Sequence, residues 1–269
     1  MTYSQKLRGI FPEISLSWED LLLLETFQIK YLPDRVAVKE FSTLLHTHPV
    51  LHRFLISKYP PIGPFLNGIL EENKPVGDRE IIDELCQEAL WEIADLIIYN
   101  KHPEQFDIQA PIRWKNDEIT AITSLEGKVV ADVGAGSGRI AFLVAPQAYT
   151  VFAVEPVATF RTYMKEKAIK KGVKNLYVLN GTLDSIPLPD QSLDVLITSN
   201  AIGWNLTEEL NEIQRVVKPR GHAIHLLQAD EKDENSLLET LTSSPWNYTC
   251  LREKDENRMK LRYYKQINQ

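Results

Sequence analysis

This sequence predicts an α/β fold: a doubly wound, mostly parallel sheet preceded by a helical region. Three observations carry that prediction. Strand-like and helix-like segments alternate from about residue 128 onward, an apolar strand runs directly into three glycines at alternate positions, and the first hundred residues hold only helical patterns.

In the first region, residues 18–32 read as a leucine-rich helix closed by Pro33, and 39–57 as one or two short helices interrupted near Pro49. Tyr59-Pro60-Pro61-Ile62-Gly63-Pro64 reads as a rigid connector. The clearest helix begins near Asp78 and ends near Asn100. Ile81, Ile82, Leu85, Cys86, Ala89, Leu90, Ile93, Ala94, Ile97 and Ile98 recur there at helical spacing.

Beyond it, strands are expected at 128–133, 150–154, 175–179, 195–198 and 222–227, with helices at about 138–145, 157–171 and 208–217. A helix at about 235–242 then leads to strands at 246–253 and 258–266, joined by a turn at Asp255-Glu256-Asn257. That hairpin adds an antiparallel element to the sheet. The expected domains are a helical region over 1–108, acting as a cap or a dimerisation unit, and an α/β domain over 109–269.

Composition bounds the function. The chain has 269 residues, 43% of them hydrophobic and 25% charged, enough for a large core. A net charge of -7 disfavours a general nucleic-acid binder. Cys86 and Cys250 form no metal or disulfide framework. The first residues lack the apolar run of a signal peptide, and no stretch approaches the ~20 apolar residues of a membrane span. The expectation is a cytoplasmic protein without membrane or nucleic-acid partners.

The strongest motif is Asp132-Val133-Gly134-Ala135-Gly136-Ser137-Gly138. Glycine serves where a chain turns sharply and a ligand approaches the backbone, and the following helix directs its positive end toward that ligand. Glu155 ends the second strand, about where nucleotide-binding sheets place an acid against ribose hydroxyls. Two details argue against a dinucleotide. The third glycine arrives one residue early, with Arg139 in its place, and Asp132 puts a carboxylate where a pyrophosphate would be repelled. Asp132 suits a ligand bearing an ammonium or a sulfonium.

These residues resemble the first motif of class I S-adenosylmethionine (SAM) dependent methyltransferases. Val154-Glu155-Pro156 resembles their acidic second-strand motif, and residues 180–196 and 210–226 resemble the segments through the fourth and fifth strands. The closest group is the methyltransferase type 11 set. The resemblance implies a Rossmann-like, seven-stranded sheet and SAM as cofactor. It implies that Asp132, Gly134, Ala135, Gly136 and Gly138 surround the methionine part and ribose. Glu155 would hold the ribose hydroxyls, Pro156 would lie beside the adenine, and Thr182 and Leu183 would meet the adenine edge. Asn200 would sit near the methyl group. Thr182 stands where many members carry an acid, and Gly203-Trp204 replaces a pair that often contains histidine.

The implied reaction is a direct displacement of the methyl group by a small-molecule acceptor, with Asn200 and Trp204 as candidate catalytic residues. Trp204 would face the sulfonium through its ring, a contact of ~1 kcal/mol. The competing readings are a protein that binds SAM without transferring its methyl group and a nicotinamide-dependent oxidoreductase. His225 reads as structural, and His46, His48 and His52 as packing or surface residues rather than metal ligands. Arg161, Lys165, Lys167, Lys170, Lys171 and Lys174 read as a solvated helix face.

Overall fold

The computed structural model describes residues 2–108, 114–230, 236–255 and 258–268. The chain forms two compact units, Met1–Gln109 and Ala110–Gln269. Both cysteines are free thiols. No described helix is long and apolar enough to cross a membrane.

The first unit is built from α1 (Tyr3–Ile10), α2 (Thr26–Lys30), α3 (Val38–Thr47), α4 (Pro49–Lys58), α5 (Gly63–Glu72), α6 (Arg79–Glu92), α7 (Ala94–Lys101) and α8 (Glu104–Ile108). Its core gathers Leu21, Leu24, Ile29, Phe41, Leu44, Leu55, Leu66, Leu90 and Ile97. Pro49 occupies the first turn of α4, where its missing N–H costs nothing. Inside this unit Gln28 and Asn100 exchange amide hydrogen bonds of 2.7 and 3.0 Å, so neither buried side chain is left unsatisfied.

Two helices differ from expectation. Residues 18–32 form not one helix but a 3-10 helix at Trp18–Leu23, then α2, then a 3-10 turn at Leu32–Asp34. The side chains of Asp20 and Gln28 accept the backbone N–H groups of Ser17 and Glu25, so local caps restart the chain twice. The long apolar stripe breaks at Ile93, whose φ of -118° and ψ of 22° divide α6 from α7. Both halves face the same core, which is why the apolar spacing runs through the break.

The second unit holds α9 (Asn116–Thr120), β1 (Val129–Val133), α10 (Arg139–Val144), β2 (Thr150–Val154), α11 (Ala158–Lys171), β3 (Leu176–Leu179), β4 (Leu193–Ser199), α12 (Leu206–Val216), β5 (Val217–Asp230), α13 (Ser236–Thr242), β6 (Thr249–Asp255) and β7 (Arg258–Gln266). The sheet order is β3-β2-β1-β4-β5-β7-β6. The first five strands are mutually parallel, and β7 runs antiparallel to both β5 and β6. This is the doubly wound sheet with an antiparallel hairpin that the sequence predicts. Two expected features, the start of the tail helix at Asn235 and the 256–257 part of the hairpin turn, lie outside the described residues.

Strand alternation assigns the two faces. Ala131, Val133, Leu196 and Ala223 pack with Leu210, Ile213 and Val216 of α12. Val130, Val151, Ala153, Ile197 and Ile224 pack with Ile140, Ala141 and Val144 of α10 and Met164 of α11. Helices on both faces demand near-continuous apolar strands, as observed. The chain leaves β1 in one direction toward β2 and β3 and in the other toward β4 and β5. The carboxyl ends of β1 and β4 therefore flank the crevice where open sheets bind ligands.

His225 lies wholly buried in β5. Its Nδ1 pairs with Thr198 Oγ1 at 2.8 Å, and burial pulls its pKa down to about 3, so it stays neutral. It packs on Tyr248 as a core residue. The three clustered histidines of the first unit also part company: His46 bonds Leu70 O, His52 bonds Asn67 Oδ1, and His48 stacks on Trp18.

Lys260 of β7 is only 4% exposed, and its ammonium meets Glu118 Oε1 of α9 at 2.7 Å. The Lys260→Met variant would strand Glu118 as a buried charge. We predict a loss of about 3–5 kcal/mol in urea unfolding, much of it recovered in the Lys260→Met/Glu118→Leu double variant.

Candidate functional site

The glycine-rich segment connects β1 to α10 with three residues in the left-handed region: Gly134 (φ 72°), Gly136 (φ 53°) and Gly138 (φ 81°). Each conformation costs a side-chain-bearing residue roughly 1–2 kcal/mol. Gly134 has a second reason: a Cβ there would come within 2.3 Å of Ala201 Cβ, so the segment after β4 lies directly on the turn. The N–H groups of Gly134 and Ala135 both point to Val154 O, at 2.9 and 3.1 Å.

Glu155 closes this arrangement. It is 5% exposed, and its two carboxylate oxygens accept separate backbone N–H groups, Gly136 at 2.8 Å and Val157 at 2.9 Å. Glu155 and the glycine turn thus meet at the switch point. Each carboxylate oxygen has a second lone pair for another donor. Burial pushes the Glu155 pKa up to about 7, against the Val157 and Gly136 amides and the Arg161 guanidinium, which pull it down.

Asp132 is 1% exposed at the end of β1. Its Oδ2 accepts Ala141 N–H at 2.8 Å, serving the first turn of α10 where the N-cap, Gly138, has no side chain to offer. Its Oδ1 is buried with no hydrogen-bond partner among the described residues. Burial raises Asp132 to about 7, opposed by the Ala141 amide and Arg139 and reinforced by Glu155. Two nearby buried acids make this end of the sheet an acceptor of donors and positive charge. An orphaned buried acceptor is costly unless a ligand or water supplies its donor.

Pro156 O receives Arg161 Nη1 at 2.6 Å, and the same nitrogen holds Glu155 O at 2.9 Å. Arg161 is therefore a clasp on the 155–156 turn rather than part of a solvated face. Lys167 likewise reaches Ser137 O at 3.2 Å and lies over the Phe142 and Tyr163 rings. Neither role was visible in the basic run, because each depends on a carbonyl brought near by the fold.

After β3, Thr182 Oγ1 donates to Asp184 Oδ1, and Leu183 is buried in the core. After β4, Asn200 adopts φ 53°. Its N–H bonds Leu226 O and its Oδ1 accepts Gln228 N–H at 3.1 Å, so Asn200 extends the β4–β5 pairing by one step. Trp204 is 45% exposed. The 203–205 backbone is held by Glu209, a residue that no sequence motif singled out. Its spacing four residues after Asn205, at the start of an amphipathic helix, is the available signal. Among the described residues, no group of three or more histidines, cysteines and acids could hold a metal ion.

Residues 131–225 match the family model described as a methyltransferase domain. An uncharacterized methyltransferase of Schizosaccharomyces pombe is 33% identical over 111 residues, which are 40% of this chain and 41% of that protein. A tRNA U34 carboxymethyltransferase of Ruthia magnifica is 30% identical over 143 residues, covering 49% of this chain and 44% of that one. The chain thus spans less than half the length of either relative. Among solved structures, a SAM dependent methyltransferase from Aquifex aeolicus shares the fold with a TM-score of 0.50 and 20% identity, over 61% of this chain and 97% of that one. The matched segment runs from β1 into β5 and contains the glycine turn, Glu155 and Asn200. Residues 131–225 thus match a methyltransferase domain, and the sheet that holds them has the fold of a SAM dependent methyltransferase.

Proposed function

We propose that the chain binds S-adenosylmethionine at the Asp132–Glu155 crevice and transfers its methyl group to a small-molecule acceptor by direct displacement. One observation carries this reading. The Glu155 carboxylate is fixed by two backbone amides, one on each oxygen, beside a turn of three left-handed glycines. Such a carboxylate presents a matched pair of acceptors to a vicinal diol.

The residues suit this ligand better than a dinucleotide. A ribose diol and an ammonium bring donors to the remaining lone pairs of Glu155 and to the buried Oδ1 of Asp132. A pyrophosphate would bring two negative charges to two buried acids. When bound, SAM supplies a methyl group activated by a sulfonium. The protein then has to orient and exclude water, and alignment alone contributes ~7–11 kcal/mol. In this reading Gly134, Ala135, Gly136 and Gly138 form the backbone cradle, Pro156 flanks the adenine, and Thr182 and Leu183 border its edge. Asn200 and Trp204 stand on the acceptor side. No general base is required, and neutral, enclosed His225 is not one.

A second reading, binding of SAM without methyl transfer, is favoured by one fact: Asn200 commits its side-chain carbonyl to Gln228. Mass spectrometric detection of S-adenosylhomocysteine during incubation of the full chain with SAM and a panel of acceptors decides between them. Turnover with any acceptor removes the second reading. Binding without turnover across nitrogen, oxygen, sulfur and carbon nucleophiles removes the first.

Two predictions follow from Glu155. The Glu155→Gln variant keeps one acceptor oxygen and loses the charge, so S-adenosylhomocysteine should bind about 1.5–3 kcal/mol more weakly by calorimetry. Unchanged affinity would remove Glu155 from the site. The pH dependence has a definite sign. Glu155 and Asp132 sit at about 7 in the folded chain, above the ordinary carboxylate range. Ligand donors favour their ionised forms, so binding should release protons. Affinity should therefore rise with pH, by up to about tenfold per unit per proton, and level off above pH ~7. Stability of the ligand-free protein should show the opposite trend from these two groups, falling as pH rises from ~4 to ~7. Calorimetry in buffers of different ionisation enthalpy measures the proton release directly.

A further inference from the structure

Glu209 is 2% exposed, yet it is an acid near the start of a surface helix. Its carboxylate takes three consecutive backbone N–H groups: Gly203 on Oε2 at 2.7 Å, and Trp204 and Asn205 on Oε1, each at 3.0 Å. Three charge-assisted bonds from one side chain fix a three-residue segment far more firmly than a turn would fix itself. The segment holds a glycine at φ 111° and runs straight into α12, whose N-cap Asn205 makes no side-chain cap bond.

What this segment carries is Trp204, the large exposed ring on the loop after β4. The same loop begins at Ala201, against Gly134 of the cofactor turn. It ends at Asn205, whose Nδ2 reaches Asp184 Oδ2 at 3.4 Å, and Asp184 in turn accepts Thr182 Oγ1. The loop after β4 is therefore braced against both loops assigned to the cofactor. None of residues 200–207 carries a charged side chain, and the nearby charge of Glu209 is turned inward onto the backbone. Residues 200–207 themselves present an aromatic plane, amides and the Thr207 hydroxyl, with the carboxylates of Asp184 and Glu208 beside them.

We infer that Glu209 is a positioning residue for the acceptor side of the site: it clamps residues 203–205 so that Trp204 stands at the rim in a fixed pose beside the bound cofactor. This rests on the reading that SAM occupies the Asp132–Glu155 crevice. Glu209 touches neither cofactor nor acceptor. It acts through the backbone that presents Trp204.

The test needs no knowledge of the acceptor. Trp204 emission in the full chain is isolated as the difference between wild type and Trp204→Phe, since the chain has five tryptophans. S-adenosylhomocysteine is titrated with fluorescence and calorimetry in parallel, and amide exchange is followed at 203–205. In wild type, the Trp204 signal should shift on saturation. In Glu209→Ala, affinity should stay within about threefold, exchange at 203–205 should accelerate by at least about tenfold, and the ligand-dependent Trp204 shift should vanish. Glu209→Gln keeps one carbonyl acceptor, so its exchange rates should fall between the two; it carries the test if the alanine variant does not fold. A purely structural role would lower the melting temperature and leave the Trp204 shift intact, which overturns the proposal. Wild-type protein that binds S-adenosylhomocysteine without any Trp204 response also overturns it, while the cofactor reading stands. No binding to wild type defeats both.

Discussion

The clasp between Glu155 and the amides of Gly136 and Val157 is the contact on which the site depends. It joins the turn after β1 to the end of β2 at the point where the sheet reverses direction. A carboxylate with one amide on each oxygen cannot rotate freely, so its remaining lone pairs keep their directions before any ligand arrives. Preorganisation of this kind lowers the cost of binding, because the ordering has already been met by folding. Arg161 reinforces it from below by holding the carbonyls of Glu155 and Pro156.

Around that clasp, each loop at the carboxyl edge is tied to another by a short polar contact or a close packing contact. Ala201 fills the space that a side chain on Gly134 would need, Thr182 and Asn205 meet on Asp184, and Asn200 reaches across to β5. These bonds cost little in an interior already built from apolar strands, and they convert separate loops into one rim. Asp132 completes the first turn of α10 through one oxygen, and its other oxygen is buried with no partner among the described residues.

Much of this could be read from the chain alone where the signal was local. The apolar runs at 129–133 and 150–154, the alternate glycines and Glu155 placed the sheet, its switch point and the glycine turn, because strand period and left-handed turns leave direct traces in residue type. What escaped was set by long-range or competing contacts. Lys260 and Glu118 are 142 positions apart, so no window could pair them. The break at Ile93 is invisible because both helices bury the same stripe, and the restarts at Asp20 and Gln28 arise from side chains that outcompete the helix for backbone N–H groups. Arg161 read as part of a solvated face and Glu209 drew no reading at all, because the backbone groups they hold are brought to them only by the fold.

The most direct test of the account is a crystal structure of the full chain grown with S-adenosylhomocysteine. The two ribose hydroxyls should lie about 2.5–3.0 Å from the two oxygens of Glu155, with the amino acid portion along Gly134–Gly138 near Asp132. Ligand bound elsewhere, or the crevice closed by the protein's own side chains while Glu155 keeps only its backbone partners, would contradict it.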